Sequence, residues 1–410
     1  MYNVSFAGES AEKIIELSSQ LEVKKGLVGY VDIKDGYVIP RKFGQRNSNA
    51  PYQGLGGVVD HNKKFVEESA IYDLQNTKDQ TQIFAFGGEY EFEHSAQAED
   101  EVVIYMGLAN KHWGHFLVDN VQRCAFLYEA GLIDHHKDQY GISVNKNYRL
   151  VYAGTENFDV TVTGNYKKFF ELLGIDPKRI SFVNKPTKFK HIIVPKQSIY
   201  PGKYIYESYR MIFQIVSENA MKSMANRKRV QSVYFSRMHL NDPKDLGEVH
   251  IENIMREAGY TILYPEELSL EDQIYYWQTA QNIACINGTI PHNVVFASTN
   301  LNLYIFMKMS RVVGYQFTMD LTWGRSPVYI AAYREPYKKY PLSVSRGPFW
   351  ISITDNVLKF SQEVLKTHVN IKINTGEKRK YLRLCINEEI KYRLRGSRVL
   401  LKNFFNVIRR

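Results

Sequence analysis

Between Ser232 and Phe306 the chain alternates short β-branched or aromatic runs with helical patterns, and this rhythm constrains its fold more than any other feature. The runs Ser232 to Ser236, Tyr260 to Tyr264, Asn282 to Ile286 and Leu301 to Phe306 read as strands. Helical stretches, Glu248 to Ala258 and Leu270 to Gln281, separate the first three, and a loop and a helix precede the last. Parallel neighbours need crossovers of this length, so the order describes one doubly wound α/β domain. A less regular version lies upstream, with strands expected at Val102 to Tyr105, Arg149 to Ala153 and His191 to Pro195 and helices at His115 to Ala130 and Tyr166 to Leu173. Pro186, Pro195 and Pro201 then lead into a helical pattern from Tyr206 to Met224. The expected division is an α/β domain over 1–200, a Rossmann-like domain over 201–350, and C-terminal helices with a basic amphipathic tail over 351–410. Gly54-Leu55-Gly56-Gly57 follows no clear strand and reads as a plain loop rather than a phosphate loop.

Composition removes several classes. The longest apolar stretches, near Asn293 to Ser298 and Leu301 to Met309, fall well short of the roughly 20 residues that span a bilayer. Glu9, Glu12, Lys13 and Glu16 interrupt the first thirty residues, so no signal-peptide core is expected and the chain reads as cytoplasmic. Cys124, Cys285 and Cys385 are odd in number, far apart and without a CxxC pair, which fits a reducing compartment. Asn287-Gly288-Thr289 matches a glycosylation acceptor pattern, read here as chance for want of a secretory signal. Of the +10 net charge, most comes from Glu377 to Arg410, which carries eleven Lys or Arg against three Glu. Tyr381, Leu382, Leu384, Ile390, Leu394, Val399, Leu400, Leu401, Phe404, Phe405 and Ile408 are interleaved with that charge, giving an amphipathic pattern. Two roles stay open for 377–410: peripheral binding to an anionic membrane surface at the inner face of the plasma membrane, or packing on the body with the basic face in solvent. The body is nearly neutral, so nucleic acid is not an expected partner.

Chemistry-bearing residues concentrate in two places. If the chain is helical from Trp113, His115, Asp119 and Arg123 share one face, while Phe116, Leu117, Cys124 and Leu127 fall mostly on the other. An imidazole beside a carboxylate suits removal of a proton from a hydroxyl; an ordinary surface His–Asp pair is the competing interpretation. His112, His115 and Asp119 are also metal-ligand types, but no further ligand is evident, Asp134-His135-His136 reads as a loop, and no metal is expected. The chain has no Asp-x-Asp pair to cradle a metal-bound diphosphate. In the second half, Arg237 stands at a strand end, on the carboxyl edge where ligands of parallel sheets bind. The loop Asn287 to Asn293, with Gly288, Thr289, His292 and Asn293, precedes an apolar helix start whose amides would face an anion. Arg237 and this loop would converge on a diphosphate; a surface ion pair and a tight turn are the alternative. Ser269 caps a helix with an acidic first turn, and Glu266, just after a strand, is placed to reach a ribose hydroxyl.

These blocks resemble glycosyltransferase family 61, whose members include bacterial capsular-polysaccharide enzymes, plant xylan-decorating transferases and animal O-glycan enzymes. His115-Phe116-Leu117-Val118-Asp119 followed by Arg123 is similar to the family's His, aromatic, two apolar residues, acid, then Arg. Ser236-Arg237 is similar to its strand-end Arg, and Gly259 to Ser269, Gln273 to Ala280, Gly288 and Asn293 to Phe296 to its C-terminal signature. The resemblance implies an α/β chain of GT-B architecture, two Rossmann-like domains facing a cleft, and inversion at the anomeric carbon. It also implies a nucleotide-diphosphate sugar, usually a UDP-sugar, as co-substrate without cofactor or metal. On that footing His115 or Asp119 is the base, Arg237 and the Gly288 to Asn293 loop hold the diphosphate, and the acceptor is a glycan or lipid-linked saccharide in bacterial capsule or exopolysaccharide synthesis. The family's His-Gly-Ala-Gly-Leu-Thr-Asn is replaced by Asn287-Gly288-Thr289-Ile290-Pro291-His292-Asn293, and its second Arg is missing near Leu240. These departures suit a divergent bacterial member, and they motivate an alternative, a non-enzymatic assembly component with a degenerate donor site. A metal-dependent hydrolase built on His112 to Asp119 is a third reading.

Overall fold

The computed structural model describes residues 2–19, 21–42, 53–72, 84–93, 99–133, 137–141, 148–154, 162–224, 227–240, 245–312, 314–324, 326–368 and 375–408, with the side chains of the last helix described as far as Leu394. Its backbone is mixed α/β and contains two six-stranded sheets.

The first of these is parallel throughout, in the order Asn3–Phe6, Val328–Ala331, Asn302–Met307, Asn282–Ile286, Ser232–Phe235, Thr261–Leu263. Alternation along each strand sends side chains to opposite faces, and both faces are covered. Tyr234, Ala284, Ile286, Phe306 and Ile330 pack with Ile251 and Met255 of the helix Glu248–Glu257 and with Phe360. Val233, Phe235, Ile283, Cys285 and Ile305 point the other way, toward Ile274 and Trp277 of the helix Leu270–Thr279. Ser269 caps that helix by accepting from the Asp272 amide at 3.1 Å.

The second sheet runs Leu55–Val59, Tyr30–Lys42, Thr187–Pro195, Glu99–Leu108, Arg149–Ala153, Ile180–Val183. Its first two pairings are antiparallel and the other three parallel. The helix Glu207–Lys222 buries Tyr209, Ile212, Phe213 and Val216 in an apolar core that draws residues from both sheets.

Four expectations need correction. Gly54 to Gly57 is no plain loop, because Leu55–Val59 is an edge strand; Gly57 has φ +113, and a Cβ there would lie 2.7 Å from Ser69 Oγ. The strand Asn3–Phe6 pairs with Val328–Ala331, so the first residues join the sheet of the second half rather than staying with the rest of 1–200. The expected helix from His115 to Ala130 is broken by a π-helical turn, Phe116–Asn120. The helix after Ile286 is a seven-residue 3-10 segment, Ile290–Phe296, too short to offer a helical anion site.

The last helix, Thr375–Ile408, begins as a packed element. Tyr381 and Cys385 are buried against Leu246, Tyr340 and Trp350, and Glu377 holds His250 Nε2 at 2.7 Å and accepts from Trp350 Nε1 at 3.3 Å. Leu382, Ile386, Ile390 and Leu394, spaced by four, are exposed. The side chains of Val399, Leu400, Leu401, Phe404, Phe405 and Ile408 lie outside those described, as do Asp134, His135 and His136. No helix among the described residues is long and apolar enough to cross a membrane.

Candidate active site

The strand Glu99–Leu108 delivers the chain to Asn110, whose Oδ1 accepts from the His112 amide at 2.9 Å and turns the backbone into the helical turn Trp113–His115. The π turn follows, with the Val121 amide donating to Phe116 O at 3.2 Å. Tyr209 Oη donates to Leu117 O at 2.8 Å and Gln122 Nε2 to Asp119 O at 3.2 Å, using carbonyls within that turn. An inserted π turn is a recurrent way of aiming side chains at a site. Here it keeps His115 and Asp119 together, with Nδ1 2.8 Å from Oδ2, while the Asp119 side chain is only 5% and that of His115 21% accessible. A carboxylate accepts, so Nδ1 carries the proton and Nε2 is the basic nitrogen.

Arg123 does not join this face. The extra residue of the π turn rotates it away, and its buried guanidinium donates to Pro195 O at 3.0 Å and to Glu68 O and Ala70 O at 2.9 Å each. Gly107, at φ +106, is obligatory beneath it, because a Cβ there would sit 2.8 Å from Arg123 Nη1.

Two distant stretches of sequence meet at Gly114. A Cβ on this residue would lie 3.0 Å from His292 Nδ1, 3.4 Å from His112 Cε1 and 3.4 Å from Thr289 Cγ2. Trp113 Nε1 donates to Asn293 Oδ1 at 2.7 Å, and the His115 ring stands 5.2 Å from that of His112 and 6.3 Å from that of Tyr315. His115, Asp119, Thr289, His292 and Asn293 are therefore brought together, and His112, Gly114 and Tyr315 join them. Burial and the neighbouring His115 and His112 push His292 down to about 3, so it is neutral at working pH, and its Nδ1 is buried without a hydrogen-bond partner in the protein. Burial, and then His115, also lowers His112, with Asp119 opposing. Among the described residues no group of three or more His, Cys, Asp or Glu side chains is arranged to hold a metal ion.

A second cluster forms on the carboxyl edge of the parallel sheet. Phe235 is level with Cys285 and Ile286 with Phe306, so Arg237 and Lys308 emerge on either side of Asn287-Gly288. Gly288 has φ +143, and a Cβ there would be 3.6 Å from Arg237 Nη1. Asn287 Oδ1 accepts from the Lys308 amide at 2.9 Å. Asp245 Oδ2 lies 3.3 Å from Arg237 Nη2 and 3.9 Å from Lys308 Nζ, and the Lys308 ammonium sits 4.0 Å from the Phe349 ring centroid. Glu248 accepts from the Arg237 amide at 2.9 Å, and burial raises its pKa to about 7 against these contacts. Glu266 is exposed in the turn Pro265–Glu267, while Glu267 reaches His239 Nδ1 at 2.5 Å. Sequence reading missed Lys308, whose only signal is its place immediately after a central parallel strand.

Residues 113–304 match the family model for Glycosyltransferase 61. This segment belongs to glycosyltransferase family 61. No curated protein matches the chain. The family 61 segment opens at Trp113, the first residue of the turn that carries His115, and closes inside the strand that leads to Lys308. It contains every catalytic and donor-binding residue expected from the sequence, whereas His112 and Lys308 flank it. Membership supports glycosyltransferase activity in general, and with it a sugar donor and a glycan acceptor.

Proposed function

We propose that the chain is an inverting glycosyltransferase that moves a sugar from a nucleotide-diphosphate sugar, with UDP the expected nucleotide, to a hydroxyl of a glycan or lipid-linked saccharide. The observation that carries this reading is the approach of the His115–Asp119 pair to the Thr289–Asn293 loop, beside a sheet edge bearing Arg237 and Lys308. His115 Nε2 takes the acceptor proton as the hydroxyl oxygen attacks the anomeric carbon from the face opposite the phosphate. The anomeric carbon–oxygen bond breaks, and its electron pair leaves on the diphosphate. Asp119 holds the imidazole in the required tautomer and offsets the charge it acquires. Arg237 and Lys308, flanking Asn287-Gly288, receive the charge that develops on the leaving group. His292 and Asn293 serve as neutral positioning groups, and Glu266 stands at the ribose side of the same edge. The two sheets are the halves of a GT-B enzyme divided near residue 200, with the first strand crossing to the second half, and neither metal nor cofactor enters the mechanism.

Thermal unfolding with UDP, GDP, CDP and CMP, with and without added divalent cation, tests this reading. A ligand at a hundred times its Kd adds about 2.7 kcal/mol to the folded state. Selective stabilisation by UDP, lost in Arg237→Ala, is the expected result. A folded protein that no nucleotide stabilises would instead favour the non-enzymatic assembly role.

In this reading the enzyme works at the cytoplasmic membrane face in capsule or exopolysaccharide synthesis, and the last helix attaches it to anionic lipid. Support comes from the exposed Leu382, Ile386, Ile390 and Leu394 on the same helix as Lys378, Arg379, Lys380, Arg383, Lys391 and Arg393. Replacing Ile386 and Ile390 by Ser leaves the packed Tyr381 and Cys385 intact, and is expected to release the protein from phosphatidylserine vesicles in flotation. Equal flotation of both forms would reduce the helix to a packing element.

A further inference from the structure

The edge strand Thr261–Leu263 of the parallel sheet and its neighbour Ser232–Phe235 end level with each other, Phe235 beside Leu263, and the Ser236 amide extends the pairing by donating to Leu263 O at 2.9 Å. Each chain then enters a short 3-10 turn, Met238–Leu240 after the one and Pro265–Glu267 after the other. Each turn brings a ring. His239 and Tyr264 lie face to face, with centroids 3.4 Å apart and planes within 8° of parallel. Glu267 holds His239 Nδ1 at 2.5 Å, which fixes the imidazole in its plane as well as against the phenol. With one face against Tyr264, the His239 side chain is still 48% accessible. The result is an ordered aromatic surface on the carboxyl edge, where ligands of parallel sheets bind.

Strand order sets what stands beside it. Arg237 precedes His239 by two residues, so their Cα atoms are at most about 7 Å apart. The Gly288 turn lies on the other side of Arg237, one strand further into the sheet, and Lys308 one strand beyond that. Glu266 follows Tyr264 by two residues. We propose that the His239–Tyr264 stack is the seat of the donor's nucleobase, which lies on the side of the imidazole opposite Tyr264. A nucleobase is a flat aromatic ring joined to its diphosphate through one ribose, and the edge offers partners in that order: a ring to stack on, a carboxylate for a ribose hydroxyl, then the cations around Gly288. Stacking on an aromatic side chain needs no matched hydrogen-bond pattern, so the pair fixes where the base lies and leaves the choice of base to other contacts. Because Glu267 and Tyr264 orient the imidazole before the ligand arrives, little ordering cost falls on binding. The proposal rests on the nucleotide-sugar reading above. The competing account, a surface ion pair leaning on a tyrosine, gives the stack no ligand.

Calorimetric titration with whichever of UDP, GDP, CDP and CMP the wild-type protein binds most tightly, repeated on His239→Phe, His239→Gln and His239→Ala, tests the proposal. Phenylalanine keeps a flat ring on Tyr264 but cannot donate to Glu267; glutamine can donate to Glu267 but offers no ring. The Phe variant is expected to bind within about threefold of wild type, and the Gln and Ala variants roughly tenfold or more weakly, with thermal midpoints unchanged. Unchanged affinity in all three variants overturns the proposal. Retention in Gln with loss in Phe would make the imidazole a hydrogen-bonding group, and equal loss in all three would make it a support for the Arg237 turn; either result also overturns it. If the wild-type protein binds a nucleotide and the ring makes no difference, this inference fails and the nucleotide-sugar reading stands. If the wild-type protein binds no nucleotide, that reading fails and takes the base subsite with it.

Discussion

Asp119→Asn is expected to lower kcat by about 10³–10⁴ while leaving UDP affinity within a factor of two. The carboxylate accepts from His115 Nδ1 and so leaves Nε2 unprotonated and basic. An asparagine side chain can turn its amide toward Nδ1 and donate to it, which stabilises the opposite tautomer, with the proton on Nε2, where it cannot take another from the acceptor. The geometry survives and the base is lost. His115→Ala removes the base altogether and should fall to a similar floor, so the double variant is expected to be no slower than either single one. Initial rates with saturating donor, paired with UDP titration, check both points. Near-normal turnover in both variants would remove this pair from the mechanism and return it to an ordinary buried ion pair.

Which parts of this site could be seen in the sequence follows from what spacing encodes. The strands that carry Arg237 and the Asn287 loop announce themselves by β-branched runs at regular intervals, and parallel order then puts both on one edge. The His115–Asp119 contact is an i, i+4 pair that either an α or a mildly unwound turn permits. Helical periodicity fails beyond Asp119, because no side-chain pattern announces the π turn. It rests on backbone contacts such as the Val121 amide to Phe116 O and on long-range bonds such as Tyr209 Oη to Leu117 O. The approach of His292 to Gly114 and the pairing of Asn3–Phe6 with Val328–Ala331 join residues far apart in the chain, where one sequence carries no signal. Leu55–Val59 was hidden for the opposite reason, since its glycines suit close packing of strand on strand but read as turn residues.

Arg123 is where the two descriptions of the site diverge most, and Arg123→Met separates them. On a regular helix it would share the face of His115, and its loss would slow the reaction in a normally stable protein. In the structure its guanidinium instead ties Glu68 O and Ala70 O to Pro195 O, joining a 3-10 turn and the end of a central strand to the catalytic turn. Methionine fills the same path but donates nothing, leaving buried carbonyls without these donors in a region that also contains the Tyr105 ring, 5.4 Å from the guanidinium. Ala70 O keeps Gln197 Nε2 at 2.8 Å, so Glu68 O and Pro195 O bear the loss, at about 1–3 kcal/mol each, a large share of the roughly 5–15 kcal/mol typical of a domain. Lysine should rescue little, because one ammonium cannot reproduce a fork aimed at three separate carbonyls. Urea unfolding followed by Trp fluorescence gives the stability, and activity per folded molecule at low temperature gives the catalysis. A strong fall in stability with catalysis within a few-fold of wild type is the anchor's signature; normal stability with lost turnover would put Arg123 back at the reacting atoms.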